Sequence, residues 1–212
     1  MFGIYFSNQI KMKIKVCGMG ESENISELMT LKPDFIGFIF YNQSKRFVAD
    51  FPQIEIPSSI KKVGVFVNET IEEIVEKATQ FELDFVQLHG NETADYCEEL
   101  STKNIKIIKA FSVDENFDFS ATKPFEKHVP LFLFDTKGKN YGGNGLKFNW
   151  ELLQNYAGNT PFLLSGGINK NDSEEIKKFK HPGFLGIDIN SGFELEPALK
   201  NISEIKEFKS SL

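Results

Sequence analysis

Two residues that can carry acid-base chemistry lie where apolar runs of the sequence end. Asp135 closes the run Leu131–Phe134 and precedes the glycine-rich stretch Tyr141–Gly145. Cys17 closes a shorter run that begins at Lys13, and a glycine follows it. A carboxyl group and a thiol at the ends of buried strands, each followed by a loop that can approach a ligand, are suited to proton transfer. Together they predict a proton donor and a proton acceptor that face one substrate.

Both residues also have an ordinary structural interpretation. An aspartate most often caps a helix or pairs with a cation, and a free cysteine is most often a small buried apolar residue, which we also expect for Cys97. A thiol needs nearby cations to act as a base at neutral pH. Strand alternation places Lys15 on the face that carries Cys17, and closure of the sheet would bring it to Asp188. We therefore predict a contact between Lys15 and Asp188.

Length and composition favour a single domain. The chain has 212 residues, 41% of them hydrophobic, and a formal net charge of -6 with acidic and basic residues interspersed. This pattern argues against a nucleic-acid groove or a membrane-surface patch but allows a local site for a small anion. The two cysteines form neither a metal-binding spacing nor a disulfide framework, which indicates a reducing cytoplasm. Residues 1–12 lack a basic leader and are predicted to be a loose extension before a single domain, 13–212.

Eight short apolar runs predict eight strands, with helical stretches between them. One such stretch, 69–78, has apolar residues at helical spacing. Repeated strand and helix units require a parallel sheet, and eight of them in about 200 residues fit an α/β fold of the closed (β/α)8 TIM barrel type. An open doubly wound sheet is the competing fold, but no GxGxxG motif follows the first strand. The runs are Lys13–Cys17, Asp34–Phe40, Lys62–Val67, Asp84–Leu88, Ile105–Phe111, Leu131–Phe134, Phe162–Ser165 and Phe184–Ile189.

Polar residues at the carboxyl ends of barrel strands are candidates for ligand binding. His89 and Asp188 occupy such positions, and His89 has a hydrogen-bonded structural role as its alternative. Two glycine-containing turns follow the seventh and eighth strands, at Ser165–Asn169 and Asp188–Glu194. Backbone N–H groups in those loops form the usual phosphate cradle of a barrel, although each turn alone could be an ordinary one. Arg46 suits a planar carboxylate, with a surface salt bridge as its alternative.

These segments, taken in order, resemble a known family. Lys15–Gly18, Ser44–Phe47, Val86–Gly90, Asp135 with Gly142–Gly145, Leu164–Gly167 and Ser191–Glu194 are similar to successive motifs of phosphoribosylanthranilate isomerase, an enzyme of tryptophan biosynthesis. The resemblance runs from about Lys13 to about Lys200. It implies an intramolecular aldose-to-ketose isomerase that performs an Amadori rearrangement of N-(5-phosphoribosyl)anthranilate to 1-(2-carboxyphenylamino)-1-deoxyribulose 5-phosphate. It implies no cofactor and no metal, and a monomer or homodimer.

The resemblance also assigns roles to particular residues. Asp135 would be the general acid that protonates the furanose ring oxygen, and Cys17 the general base that removes the C2 proton. Arg46 would hold the anthranilate carboxylate. The substrate would further be bound by His89, Asp188 and the phosphate cradle, made of Gly166, Gly167, Asn190 and Ser191.

Two departures from the family pattern concern substrate binding and the end of the chain. The family usually has two serines where this chain has Asn190–Ser191, so a phosphate contact could be lost or made through an amide. Where the family usually has Pro-Gly-Lys-Asp, this chain has Pro197-Ala198-Leu199-Lys200-Asn201, and this change leaves the orientation of the last helix open. Two alternatives stay open, namely another phosphosugar enzyme on the same barrel and a phosphosugar-binding protein without turnover.

Overall fold

The structure, a computed structural model, describes residues 12–136 and 148–212. Its centre is a closed barrel of parallel strands in which each strand pairs with the next and the last pairs with the first. The predicted eight-stranded α/β barrel is thereby confirmed. The strands are β1 Lys13–Val16, β2 Phe35–Ile39, β3 Lys61–Phe66, β4 Phe85–Leu88, β5 Ile107–Val113, β6 Leu131–Thr136, β7 Phe162–Leu164 and β8 Phe184–Ile189.

Strand alternation separates the barrel interior from the layer under the helices. A compact apolar cluster contains the first inward residues of several strands, and on β6 it includes Leu131 and Leu133. Asp135 is the next residue with the same parity, so β6 presents a carboxyl group at the open end of a strand whose lower part is apolar. The cluster consists of Phe35, Val63, Ile108, Ala110, Leu131, Leu133 and Leu163.

The outer layer is formed largely by aromatic residues that pack between strands and helices. Phe134 meets Phe119 and Phe162 edge to face, with ring centroids 5.7 Å and 5.1 Å apart. Such pairs contribute about 0.5–1.5 kcal/mol beyond their buried area. The large apolar side chains that stay exposed in the described ranges are Phe47 and Leu195. The phenylalanines of the described residues, other than Phe47, therefore lie in or against the core.

Five α-helices pack outside the barrel in the described part of the chain. They are α1 Ser22–Thr30, α2 Ile71–Gln80, α3 Ala94–Ser101, α4 Ser173–Lys178 and α5 Ile202–Ser211. Thr70 caps α2 by accepting a hydrogen bond from the Glu73 amide, and the apolar stripe predicted there packs on the core. Cys97 is fully buried on α3, as predicted. None of the helices in residues 12–136 and 148–212 is long and apolar enough to cross a membrane.

The prediction of a helix between every pair of strands is wrong in places. Residues 41–60, between β2 and β3, form no helix, and a 3-10 helix at Phe119–Phe125 connects β5 to β6. The described part of the connection between β6 and β7 likewise holds a 3-10 helix, Trp150–Asn155. Proline explains the first two exceptions, because it lacks the N–H that an α-helix needs: Pro52 and Pro57 interrupt the first connection and Pro124 lies inside the second. Strand β5 also begins and ends two residues later than predicted.

A small hairpin lies beside the barrel mouth, between β8 and α5. Its strands β9 Glu194–Glu196 and β10 Leu199–Lys200 pair antiparallel after a short 3-10 helix, Ser191–Phe193. Ala198 turns the hairpin with φ of +72°, a left-handed conformation that glycine adopts more readily. Asn201 then caps α5 by accepting a hydrogen bond from the Glu204 amide. The altered Pro197–Asn201 segment thus still starts a capped final helix.

Candidate active site

Cys17 directly follows β1 and is almost fully buried at the carboxyl end of the barrel. Its amide donates to the Ile189 carbonyl at 2.9 Å, which fixes it against the end of β8. Two positions earlier, Lys15 is fully buried and its Nζ lies 2.9 Å from Oδ1 of Asp188. The predicted contact between Lys15 and Asp188 is therefore confirmed. The other carboxylate oxygen, Oδ2, accepts a hydrogen bond from Ser165 Oγ at 3.2 Å.

Burial and charge act in opposite directions on this group of residues. Burial raises the pKa of the Cys17 thiol, and the positive charges of Lys15 and Lys200 oppose that rise. For Lys15, burial works against the ammonium form, but the Asp188 carboxylate and the Cys17 side chain together outweigh it and raise the Lys15 pKa. Cys17 therefore shares its surroundings with a stable buried ion pair, and its own ionisation depends on the cations beside it.

Asp135 is the penultimate residue of β6 and faces His89 from the end of β4. His89 Nε2 lies 3.1 Å from Asp135 Oδ2, and the other carboxylate oxygen accepts a hydrogen bond from the Thr136 amide at 2.8 Å. The two side chains are about nine-tenths buried, with 11% and 10% exposed. The sequence left the role of His89 open, and the structure places it in direct contact with Asp135.

Gln87 determines which nitrogen of His89 carries the proton. Gln87 Nε2 lies 2.9 Å from His89 Nδ1, and because an amide NH2 group donates, Nδ1 must accept. The neutral imidazole then has its proton on Nε2, which donates to the Asp135 carboxylate. Gln87 is itself buried, and its Oε1 has no hydrogen-bond partner within the described residues.

The two glycine turns predicted to form a phosphate cradle lie next to each other beyond β7 and β8. Gly166 has φ of +93°, and a side chain there would collide with Thr136. A β-carbon at Gly192 would come within 2.1 Å of the Ile168 carbonyl oxygen, so only glycine allows this approach of the two turns. The turns therefore form one continuous surface of backbone at the edge of the mouth.

Arg46 is not the surface salt bridge that was its ordinary interpretation. It makes three hydrogen bonds to the Glu194 carboxylate, from Nε at 2.8 Å and 3.0 Å and from Nη2 at 2.6 Å. The same carboxylate contacts the ammonium of Lys200. Burial alone would raise the pKa of Glu194, but the hydrogen bond from Arg46 and the charge of Lys200 reverse that effect and lower it. Arg46 Nη1 has no acceptor among the described residues.

The strand register brings the predicted site residues to one end of the barrel. Phe134 aligns with Leu164, Leu164 with Ile187, and Asp188 with Lys15, so the adjoining Asp135 and Ser165 share a level with Asp188. Cys17 lies one inward position further along β1. Arg46 and Asn190 border the same end through their contacts with Glu194 and Lys200, and Ser191 follows Asn190 in the chain. The glycine-rich stretch Tyr141–Gly145, and residues 1–11 of the predicted extension, lie outside the described residues.

Sequence reasoning gave no role to three residues that contact this site. Gln87 was detectable in principle, because alternation puts it on the same face of β4 as His89. Glu194 and Lys200 gave no such signal. Arg46 and Glu194 are 148 positions apart, and no periodicity of the sequence predicts that pair.

The fold and the site define a class: an α/β-barrel enzyme with a carboxyl group and a thiol at one mouth, beside paired glycine turns where barrels bind phosphate. The sequence profile described as N-(5'phosphoribosyl)anthranilate (PRA) isomerase matches residues 14–211. The chain therefore belongs to the N-(5'-phosphoribosyl)anthranilate isomerase family. The family expected from the sequence is therefore confirmed, and so is the isomerase function in tryptophan biosynthesis.

Individual relatives agree with this assignment. The N-(5'-phosphoribosyl)anthranilate isomerase of Parabacteroides distasonis is 50% identical over 202 residues, covering 93% of this chain and 91% of the relative. That of Phocaeicola vulgatus is 44% identical over 201 residues, covering 95% and 98%. A solved phosphoribosyl anthranilate isomerase in complex with reduced 1-(o-carboxyphenylamino)-1-deoxyribulose 5-phosphate is 29% identical, with a TM-score of 0.81 and coverage of 94% of this chain and 97% of that one.

Proposed function

We propose that this isomerase works with Asp135 as its general acid and Cys17 as its general base. The observation that carries the proposal is the register of β6, β7, β8 and β1, which puts both side chains at the same end of the barrel. An aldose-to-ketose rearrangement needs one proton delivered to oxygen and one removed from carbon. A carboxyl group and a thiol on two sides of one mouth supply these functions without a further group.

The first step is opening of the furanose ring. The Asp135 carboxylic acid donates its proton to the ring oxygen, the bond between that oxygen and C1 breaks, and the nitrogen lone pair forms a Schiff base with C1. Asp135 is left as a carboxylate, which accepts a hydrogen bond from the Nε2–H group of His89. His89 therefore stabilises the form of Asp135 that this step produces, and Gln87 keeps His89 in the tautomer that can do so.

The second step removes the proton from C2. The Cys17 thiolate takes this proton, and the electrons of the C–H bond form the C1–C2 double bond of an enolamine while the Schiff-base nitrogen becomes neutral. The enolamine then gains a proton at C1 and loses one from the C2 hydroxyl, which gives the ketone. Lys15 favours the thiolate that starts this step, because its positive charge lies beside the sulfur.

Arg46 is proposed to bind the anthranilate carboxylate. Glu194 already occupies the Nε and Nη2 side of the guanidinium group and so holds its plane, while Nη1 stays available to a second carboxylate. A pre-oriented guanidinium loses little freedom when the substrate binds. His89 and Asp188 are also proposed to border the substrate, because His89 contacts Asp135 and Asp188 contacts Lys15 at this end of the barrel.

The phosphate is proposed to lie on the two glycine turns, at Gly166, Gly167, Asn190 and Ser191. Asn190 Oδ1 lies 2.7 Å from Lys200 Nζ, and an ammonium can only donate. The amide Nδ2 is therefore the half of Asn190 that remains to donate a hydrogen bond to a phosphate oxygen. In this proposal, the substitution of the family's serine by Asn190 keeps the contact through an amide.

Adding the protein to phosphoribosylanthranilate generated in situ tests the activity. The substrate is fluorescent, so turnover is followed as a decay of its fluorescence. We expect decay that depends on the protein concentration, and the double variant Cys17→Ala with Asp135→Asn serves as the control. A protein that is protected against thermal unfolding by the reduced product analogue, but causes no decay, would instead be a phosphosugar-binding protein.

We also propose that the chain acts in the cytoplasm on this small phosphosugar alone, as a monomer or a homodimer. Support for the dimer comes from a solved structure of monomers generated from the dimeric isomerase of Thermotoga maritima, which is 27% identical with a TM-score of 0.77. Sedimentation of the purified protein at several concentrations measures the oligomeric state.

A further inference from the structure

Lys200 is a fully buried lysine at the mouth that has no part in the proton-transfer steps above. Its Nζ contacts three acceptors, namely the Gly18 carbonyl at 3.3 Å, Asn190 Oδ1 at 2.7 Å and a carboxylate oxygen of Glu194. Three acceptors require three N–H groups, and a neutral amine has two. Lys200 is therefore an ammonium in this structure.

The positive charge of Lys200 is only partly balanced. Its carboxylate partner, Glu194, also pairs with Arg46. Asp188, the carboxylate partner of Lys15, pairs with no second cation among the described residues. The segments outside the described ranges contain no aspartate or glutamate that could supply a further carboxylate. The two buried lysines differ accordingly: the pKa of Lys15 is raised, while burial lowers that of Lys200 despite the opposing effect of Glu194.

The peptide carbonyl that accepts from Lys200 belongs to the residue directly after Cys17. We propose that Lys200 is a positioning residue for the general base: its incompletely balanced ammonium, held beside Gly18, favours the thiolate of Cys17 over the thiol. This inference rests on the proposed function only in calling Cys17 the base. The effect of Lys200 on Cys17 ionisation is a separate claim that can be measured without substrate.

Among the described residues, the charged groups around Cys17 come from four strands. Lys15 lies on β1, Asp188 on β8, and Lys200 on β10 with Glu194 of β9 behind it. Asp188 acts against the thiolate, and both lysines act for it. The alternative role for Lys200 is purely structural, since its hydrogen bonds join the start of the chain to the final hairpin. Two variants that disturb the same bonds but change the charge in opposite directions separate these roles.

The experiment follows the ultraviolet absorbance of the Cys17 thiolate during a pH titration. It uses the Cys97→Ala background, in which Cys17 is the single cysteine, and subtracts a Cys17→Ala, Cys97→Ala protein to remove the tyrosine signal. Lys200→Met removes the positive charge, so we expect the thiol midpoint to move to higher pH. Glu194→Gln removes a negative charge from the same cluster, so we expect the midpoint to move to lower pH.

Lys200→Met leaves Glu194 paired with Arg46, so no carboxylate becomes unpaired by this change. Lys13→Met is the matched control, because it removes a lysine from the other end of β1 and should leave the midpoint unchanged. Circular dichroism and thermal unfolding identify any variant that fails to fold, and Glu194→Gln then tests the claim by itself. Equal midpoints in all folded variants, or shifts of Lys200→Met and Glu194→Gln in the same direction, would overturn the proposal.

Failure of this inference differs from failure of the proposed function. If Cys17→Ser turns over substrate at the normal rate while the two midpoints shift as expected, Cys17 is not the base but Lys200 still controls its ionisation. If Cys17→Ser is inactive and the midpoints do not move, the catalytic role stands and that of Lys200 is refuted.

Discussion

The two sides of the barrel mouth hold their reactive groups by different physical means. On the β4 and β6 side, Asp135 is held by a chain of hydrogen bonds through His89 to Gln87. On the β1 and β8 side, Cys17 lies among buried cations and carboxylates. Acid and base therefore respond to different perturbations, since hydrogen-bond geometry governs the acid and charge balance governs the base.

This difference predicts which substitutions each side of the mouth can tolerate. Hydrogen bonds act only between groups in contact, so the aspartate side should be sensitive to the residues of its hydrogen-bond chain, His89 and Gln87. Charges act over longer distances when water is excluded, so the thiol side should respond also to residues that do not contact the sulfur. The following predictions sharpen or break this comparison.

The largest effect is expected for Asp135→Asn. An amide cannot protonate the ring oxygen, so we expect kcat to fall by about 10³-fold or more. Binding of the reduced product analogue should change little, because the side chain keeps its shape. Fluorescence decay measures the first quantity and calorimetric titration the second. Normal turnover by this variant would remove Asp135 from the mechanism.

Cys17→Ser should be nearly as severe, with a loss of about 10²-fold to 10⁴-fold in kcat, because a hydroxyl is a far weaker base than a thiolate. The unaltered enzyme should also show a kcat/KM that rises with pH into the alkaline range. The sign follows from burial, which raises the thiol pKa, so the active thiolate is lost as pH falls below that value. A pH series of initial rates tests this, and a rising limb that persists in Cys17→Ser would contradict it.

A smaller effect is expected from Gln87→Leu. Leucine has a similar volume but cannot donate to Nδ1 of His89, so the imidazole is free to adopt the other tautomer. Loss of one hydrogen bond of about 1 kcal/mol corresponds to a decrease of about fivefold to tenfold in kcat, with KM unchanged. Gln87→Glu is the companion variant, since it accepts from Nδ1–H and imposes the wrong tautomer. Equal activity of both variants and the original enzyme would show that the tautomer does not matter.

The smallest effect lies in the hairpin on the thiol side. Ala198 adopts φ of +72°, which costs a residue with a β-carbon about 1 kcal/mol or more compared with glycine. Glycine in turn loses more backbone entropy on folding, so Ala198→Gly should stabilise the protein by a net of about 0.5 kcal/mol. Urea unfolding measures the change. A loss of stability would show that the hairpin does not strain Ala198.

The barrel could be predicted from the sequence because its strands are short apolar runs, each of which is decided locally. The ends of these apolar runs could also be predicted from the sequence. Cys17 and Asp135 were therefore identified as polar residues that close such runs. Connections were harder, since Pro52 and Pro57 exclude a helix between β2 and β3 even though the repeated pattern favours one.

The charged surroundings of the base could be predicted only in part. The contact between Lys15 and Asp188 followed from alternation and closure, which are rules of the fold. The contacts of Glu194 with Arg46 and Lys200 depend on how a hairpin folds back over the mouth. That path is set by tertiary packing, and neither propensity nor periodicity encodes it.

The most direct test of separate acid and base roles is the kinetic isotope effect for substrate carrying deuterium at C2 of the ribose. Removal of the C2 proton should limit the residual rate of Cys17→Ser, so that variant should show a large primary effect. Ring opening should limit Asp135→Asn, so its effect should be close to unity. Equal effects in the two variants, or the reverse order, would contradict the assignment of Cys17 to the carbon-bound proton and of Asp135 to the ring oxygen.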